Sequence, residues 1–127
     1  ETTIAEKIDA ILSLMEFSSR MKDYYDIYYL ANKFDFDGKM LTEALSKTFT
    51  NREHNFTAEQ FEQVMGFDDN VAMQKKWKAF VRKIDTKTDH YSIVLKTIKA
   101  FLTNPFTAAV IDKEFTKKWS ATNGEWI

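Results

Sequence analysis

Three glycines and one proline in 127 residues leave this chain few ways to turn sharply. A many-stranded sandwich or barrel needs a tight turn roughly every ten residues, usually built on a positive φ or a proline-fixed φ. Helices joined by short polar loops are what remains. The expected fold class is therefore all-α, a compact bundle of about six helices with an irregular C-terminal tail. Eleven Phe, five Tyr and three Trp, within a composition 44% hydrophobic, can fill one bulky core, and domain-size scaling makes two cores improbable at this length. Residues 1–127 are accordingly expected to form a single helical domain.

The same composition excludes several function classes. With no cysteine there is no disulfide, iron–sulfur or thiolate zinc site, a usage that fits a reducing, cytoplasmic compartment. A net charge of −1 exerts no global pull on nucleic acid, so RNA contact would need a local patch. No apolar run approaches the roughly 20 residues a membrane span requires, so no membrane partner is expected.

Apolar periodicity places the helices. Thr3 and Glu6 have the spacing of a capping box, and Ile4, Ile8, Ile11, Leu12 and Met15 follow on one face, which predicts a first helix over about residues 4–17. Ser18 and Ser19 are the expected N-cap of a second, ending near Lys33, with Tyr24, Ile27, Tyr28, Ala31 and Phe34 on its stripe. Residues 35–38 read as a connection. A third helix carries Met40, Leu41, Ala44, Leu45, Thr48 and Phe49, and residues 51–55 form a polar loop. Thr57 and Gln60 cap a short fourth helix that stops at Gly66. The Asp68-Asp69-Asn70 run offers N-caps for a fifth helix through Met73, Trp77, Phe80, Val81 and Ile84. Beyond a turn at 85–88, a sixth carries Tyr91, Val94, Leu95, Ile98, Phe101 and Leu102, and Pro105 is expected to end it. In the tail, Asn123-Gly124 between Trp119 and Trp126 signals a hairpin-type turn, with a helical turn as the alternative. Both tryptophans are expected to pack on the bundle.

One segment stands out chemically. Arg20, Lys22, Asp23 and Asp26 compress two cations and two carboxylates into seven residues. On a helical wheel Asp23 falls beside Ile27, Leu30 and Phe34, the side facing other helices, where an unpaired carboxylate would cost several kcal/mol. It should therefore lie near the helix N-terminus, be hydrogen-bonded, or be matched by a cation such as Arg20. Lys22 and Asp26 project together from another face, flanked by Tyr25 and Tyr29, and by themselves could be an ordinary surface ion pair. Lys7 lies at the edge of the first helix's apolar face, so an antiparallel pairing of helices one and two would gather all five groups along one seam. Such a cluster suits triphosphate chemistry: lysine neutralises phosphate charge, arginine binds two oxygens, and a carboxylate orients the lysine, binds magnesium or accepts a proton.

The stretch Thr3-Ile4-Ala5-Glu6-Lys7-Ile8-Asp9-Ala10-Ile11, followed by Ser19-Arg20-Met21-Lys22-Asp23-Tyr24-Tyr25-Asp26-Ile27, resembles the third and fourth motifs of the AbiEii/AbiGii-type toxin nucleotidyltransferases of bacterial type IV toxin–antitoxin systems. The fourth motif has the form Arg-x-Lys-Asp-x-x-Asp-aliphatic. The resemblance implies a polymerase-β-like core followed by a helical C-terminal region, with nucleotides transferred from a nucleoside triphosphate, in some members onto tRNA. The family's Gly-Ser or Gly-Gly first motif, with the Asp-x-Asp magnesium pair that accompanies it on the core sheet, does not occur in this chain. The chain, which opens directly within a helical pattern, is thus expected to be the C-terminal part of a longer nucleotidyltransferase and inactive by itself. The implied cofactors are Mg2+ and a nucleoside triphosphate; the implied partners are an upstream core, an antitoxin protein and tRNA. Carried over, Lys7 and Lys22 approach the phosphates, Asp23 and Asp26 complete the site or hold those lysines, and Arg20 is either a phosphate ligand or Asp23's structural partner. No metal ligand is assigned within the chain.

Other signals are weaker. Lys75, Lys76, Lys78, Arg82 and Lys83 make a basic face that could meet RNA but reads first as a solvated helix surface. His54 and His90 lack neighbours at metal-ligand spacing and are expected at the surface. No Gly-rich phosphate loop or nucleophile elbow occurs. The competing function is a non-catalytic helical module that binds an antitoxin protein or RNA.

Overall fold

Helical spacing in the sequence becomes six α-helices in the computed structural model, which describes residues 1–18, 20–84 and 87–127. The helices are α1 (Thr2–Leu14), α2 (Met21–Lys33), α3 (Gly38–Asn51), α4 (Ala58–Met65), α5 (Val71–Ile84) and α6 (Tyr91–Val110). Single 3-10 turns, Met15–Phe17 and Phe67–Asp69, follow α1 and α4. The long α6 is the axis: α2, α3 and α4 pack against it, and α1 lies on α3 and α2. Ile4, Ile8 and Ile11 of α1, Leu41 and Leu45 of α3, and Ile98, Phe101, Leu102 and Phe106 of α6 are all buried in one core, as the apolar stripes require.

The structure departs from the sequence-based expectations where tertiary contacts outweigh local signals. Thr3 and Glu6 make no capping box, because α1 begins two residues earlier, with Glu1 at the N-cap and its carbonyl accepting from Ala5 N–H at 3.0 Å. The α-helix also ends sooner, broken at Met15, whose φ of 51° a right-handed α-helix does not accommodate. At α2 the N-cap position falls on Arg20, and Ser18 Oγ accepts the Arg20 N–H at 3.1 Å instead of capping the helix itself. Ser19 and the 85–86 part of the expected turn lie outside the described residues. Met40 and Phe34, both assigned to apolar stripes, are exposed. The capping box at Thr57 and Gln60 forms as read, and Asn70 Oδ1 accepts from Met73 N–H at 3.0 Å at the start of α5. Gly66 does end α4, yet with φ −84° it uses none of glycine's extra freedom.

The largest correction concerns Pro105, which lies inside α6 rather than ending it. Proline has no N–H to give the carbonyl four residues back, here Phe101. Trp126 Nε1–H donates to that carbonyl at 3.0 Å and fills the gap. Trp119 does the equivalent at the end of α2, donating to Ala31 O at 2.7 Å, one of the last carbonyls the helix leaves without a partner. Both indoles come from a small antiparallel sheet, in the order β1 (Phe36–Asp37), β2 (Lys118–Ser120), β3 (Glu125–Trp126), whose β2–β3 hairpin is the first of the tail's two alternatives and whose β1 falls in the segment read as a connection. Its hairpin turn spans residues 121–124, with Gly124 in the left-handed region at φ 64°. Gly38, beside β1, donates to Lys117 O at 2.8 Å, and a Cβ there would stand 2.5 Å from that oxygen. The tail is therefore a strap that completes the hydrogen bonding of two helices.

Candidate functional site

Packing of α1 on α2 brings Lys7 across to the second helix. Its Nζ lies 2.9 Å from Asp26 Oδ2 and 3.4 Å from Asp23 Oδ1. Arg20 Nε approaches Asp23 Oδ2 at 2.9 Å, and Lys22 Nζ donates to Asp26 Oδ2 at 2.7 Å. All five expected site residues thus meet in one ion-pair network: Asp23 bridges Lys7 and Arg20, and Asp26 bridges Lys7 and Lys22.

Burial sorts these groups. The Asp23 side chain is 3% exposed and those of Lys7 and Asp26 about 20%, whereas Arg20 and Lys22 stand 61% and 73% exposed. Asp23 is tolerated inside because it occupies the first turn of α2, where the helix dipole favours a negative charge, and because two cations flank it. Lys22–Asp26, by contrast, is a surface pair at i,i+4, worth about 0.3–0.5 kcal/mol. Stability does not depend on it, so a ligand can displace it cheaply.

Partial burial would push the Lys7 ammonium down, but Asp26 and Asp23 outweigh it and hold its pKa above the ordinary 10.5. Partial burial would likewise raise the Asp26 carboxyl, yet hydrogen bonds from Lys22 and Lys7 keep it below 3.8. The Lys7 contribution to stability is therefore complete below pH 10.5 and lost as pH rises through its higher folded value. The Asp26 contribution is present above 3.8 and lost as pH falls through its lower one. Both groups stay charged across the neutral range.

Three cations against two carboxylates leave one net positive charge, an arrangement suited to an anionic oxygen. It does not suit a divalent metal. Each described oxygen contact of Asp23 and Asp26 in the network is to a lysine or arginine nitrogen, and the described residues contain no group of three His, Cys, Asp or Glu side chains able to hold a metal ion. The turn that leads into α2 is fixed from outside: Lys76 Nζ of α5 donates to Glu16 O at 3.0 Å and Ser18 O at 2.9 Å. Lys76 thus leaves the proposed basic face to hold the motif's backbone, while Lys75, Lys78, Arg82 and Lys83 remain exposed.

A second charged cluster was not anticipated. Asp9, 1% exposed, faces Arg52 Nη1 at 3.1 Å and His54 Nδ1 at 2.9 Å. The turn that presents them leaves α3 through Glu53 at φ 57°, with His54 N–H donating to Phe49 O at 2.9 Å. His54 keeps a side chain 37% exposed while it faces Asp9, and His90 is exposed. The available signal was the register of Asp9, one helical turn from both Ala5 and Leu12 on the buried side.

A profile of the family described as nucleotidyl transferase AbiEii toxin, type IV TA system, matches residues 1–104. No curated protein and no solved structure matches the chain. Both charged motifs lie inside the matched span, and the strap that carries Trp119 and Trp126 lies beyond it.

Proposed function

The chain belongs to the AbiEii family of nucleotidyl transferase toxins of type IV toxin–antitoxin systems, and on that premise we propose that its α1–α2 seam is the phosphate-facing wall of a nucleotidyltransferase site. The observation that carries this reading is the convergence of Lys7 and Lys22 on a single oxygen, Asp26 Oδ2, at 2.9 and 2.7 Å. Two ammonium groups focused on one carboxylate oxygen are equally placed to meet one phosphate oxygen. In nucleotidyl transfer the acceptor's hydroxyl oxygen bonds to the α-phosphorus and releases its proton to solvent as the bond from that phosphorus to the bridging oxygen breaks, and negative charge builds on the departing pyrophosphate. Lys7 and Lys22 neutralise that charge, Asp26 holds both lysines poised until the nucleotide arrives, and Asp23 positions Lys7 and Arg20 from the buried side. Arg20, 61% exposed, follows the terminal phosphate.

Magnesium, which nucleotidyltransferase chemistry generally employs, is assigned to the family's polymerase-β-like core and not to Asp23 or Asp26. The acceptor we propose is tRNA, and type IV membership implies an antitoxin partner. The test is transfer of label from nucleoside triphosphates to tRNA by the protein carrying that core, with Lys7→Ala and Asp26→Ala compared against it. Losses of at least about a hundredfold are expected, the scale of removing one transition-state charge contact. Undiminished transfer by either variant would strike that residue from the site.

A further inference from the structure

We propose that the tyrosine cleft beside this network is a nucleobase subsite, an inference that rests on the phosphate-facing reading of α2. Lys22, Asp26, Tyr29 and Lys33 are spaced i, i+4, i+7, i+11 and form one stripe along the helix, with Tyr25 at its flank. At 1.5 Å per residue, Tyr29 stands only about 4.5 Å along the axis from Asp26, within one nucleotide's reach of the two lysines.

Chemistry supports the assignment. Tyr25 and Tyr29 stack with ring centroids 6.4 Å apart, and Tyr25 is braced from behind by Phe80 at 5.8 Å. Tyr29 is 45% exposed and Lys33 Nζ sits 5.3 Å from its ring centroid, so the cover on this ring face is the end of a flexible lysine that can swing away. With Tyr28, Lys87 and Asp89 these residues line a cleft of about 590 Å³ between α2 and the segment before α6. The acidic member, Asp89, is engaged by the Tyr28 hydroxyl and by Trp77 Nε1–H through its carbonyl at 3.1 Å. The cleft itself presents aromatic rings beside Lys33 and Lys87, and the helical stripe that carries Tyr29 continues out of it to Asp26 and Lys22, which meet Lys7. Aromatic rings that accept any base face, set among cations that follow the phosphates, are how proteins hold unpaired nucleotides. The base belongs either to the incoming nucleoside triphosphate or to the end of the acceptor RNA.

Calorimetric titration of the 127-residue chain separates these cases. The probes are inorganic tripolyphosphate, the four nucleoside triphosphates and a single-stranded hexaadenylate, each against the wild-type chain, Tyr29→Ala, Tyr29→Phe and Lys22→Ala. Tyr29→Ala is expected to weaken nucleotide binding about tenfold, the loss of one base–aromatic stack, while tripolyphosphate affinity is unchanged and Tyr29→Phe restores the wild-type value. A loss confined to the triphosphates identifies the base as that of the incoming nucleotide; a loss confined to hexaadenylate identifies it as that of the acceptor. Either supports the subsite. Affinities of the triphosphates and of hexaadenylate that are both indifferent to Tyr29→Ala overturn it. The phosphate reading is judged separately, because it fails only if tripolyphosphate does not bind or binds Lys22→Ala equally well.

Discussion

Asp9 and Asp23 make a natural experiment within one pair of helices. Each is almost wholly buried, at 1% and 2% exposure, and each is held by two basic side chains. The surroundings differ. Asp9 is tied to Arg52 and His54, which come from the turn after α3 and lock that turn onto α1. Asp23 is tied to Lys7 and Arg20, and Lys7 is shared with a second carboxylate, Asp26, itself bound to the exposed Lys22. One cluster is closed, joining two parts of the fold. The other is open, with an extra carboxylate as placeholder and cations free to change partners. Burial of charge alone does not mark a site; the proposed phosphate role rests instead on the second carboxylate, Asp26, and the exposed Lys22 that only one of the two clusters contains.

The largest effect should come from removing one cation from each cluster. Arg52→Ala and Lys7→Ala both strand a buried carboxylate and should each destabilise the fold by about 2–3 kcal/mol in urea unfolding, below the range for fully buried pairs because the remaining partners stay. Only Lys7→Ala should also abolish tripolyphosphate binding. If Arg52→Ala abolished it equally, the contrast between a closed and an open cluster would be lost. A neutral reference follows at smaller scale. Trp126→Phe leaves the Phe101 carbonyl without its donor and should cost about 1–2 kcal/mol. Adding Pro105→Ala returns an N–H to that carbonyl and should recover part of the loss, whereas purely additive losses would show that the indole matters only by packing. The smallest stability effect belongs to Lys22→Ala, less than about 0.5 kcal/mol, paired with a roughly tenfold loss of tripolyphosphate affinity. A large stability loss with unchanged affinity would make Lys22 structural.

Much of the candidate site was legible before the structure. The i,i+4 relation of Lys22 and Asp26, the inward position of Asp23 and its pairing with Arg20 are consequences of one helix's geometry, and that geometry is local. Asp9 was equally legible by register but was passed over, because its partners sit 43 and 45 residues away in a turn read only as polar.

By itself the sequence determined six helices and the buried or exposed side of most of their residues, since the period of its apolar positions needs no information beyond the next turn. It also fixed the fourth helix's capping box. The tertiary structure decided everything that depends on two distant segments meeting: the reach of Lys7 to Asp23 across 16 residues, the closed cluster at Asp9, and the short sheet that seats the tail. It decided even the fate of Pro105. A proline stops a helix because one carbonyl loses its donor, and here a tryptophan 25 residues from that carbonyl supplies another.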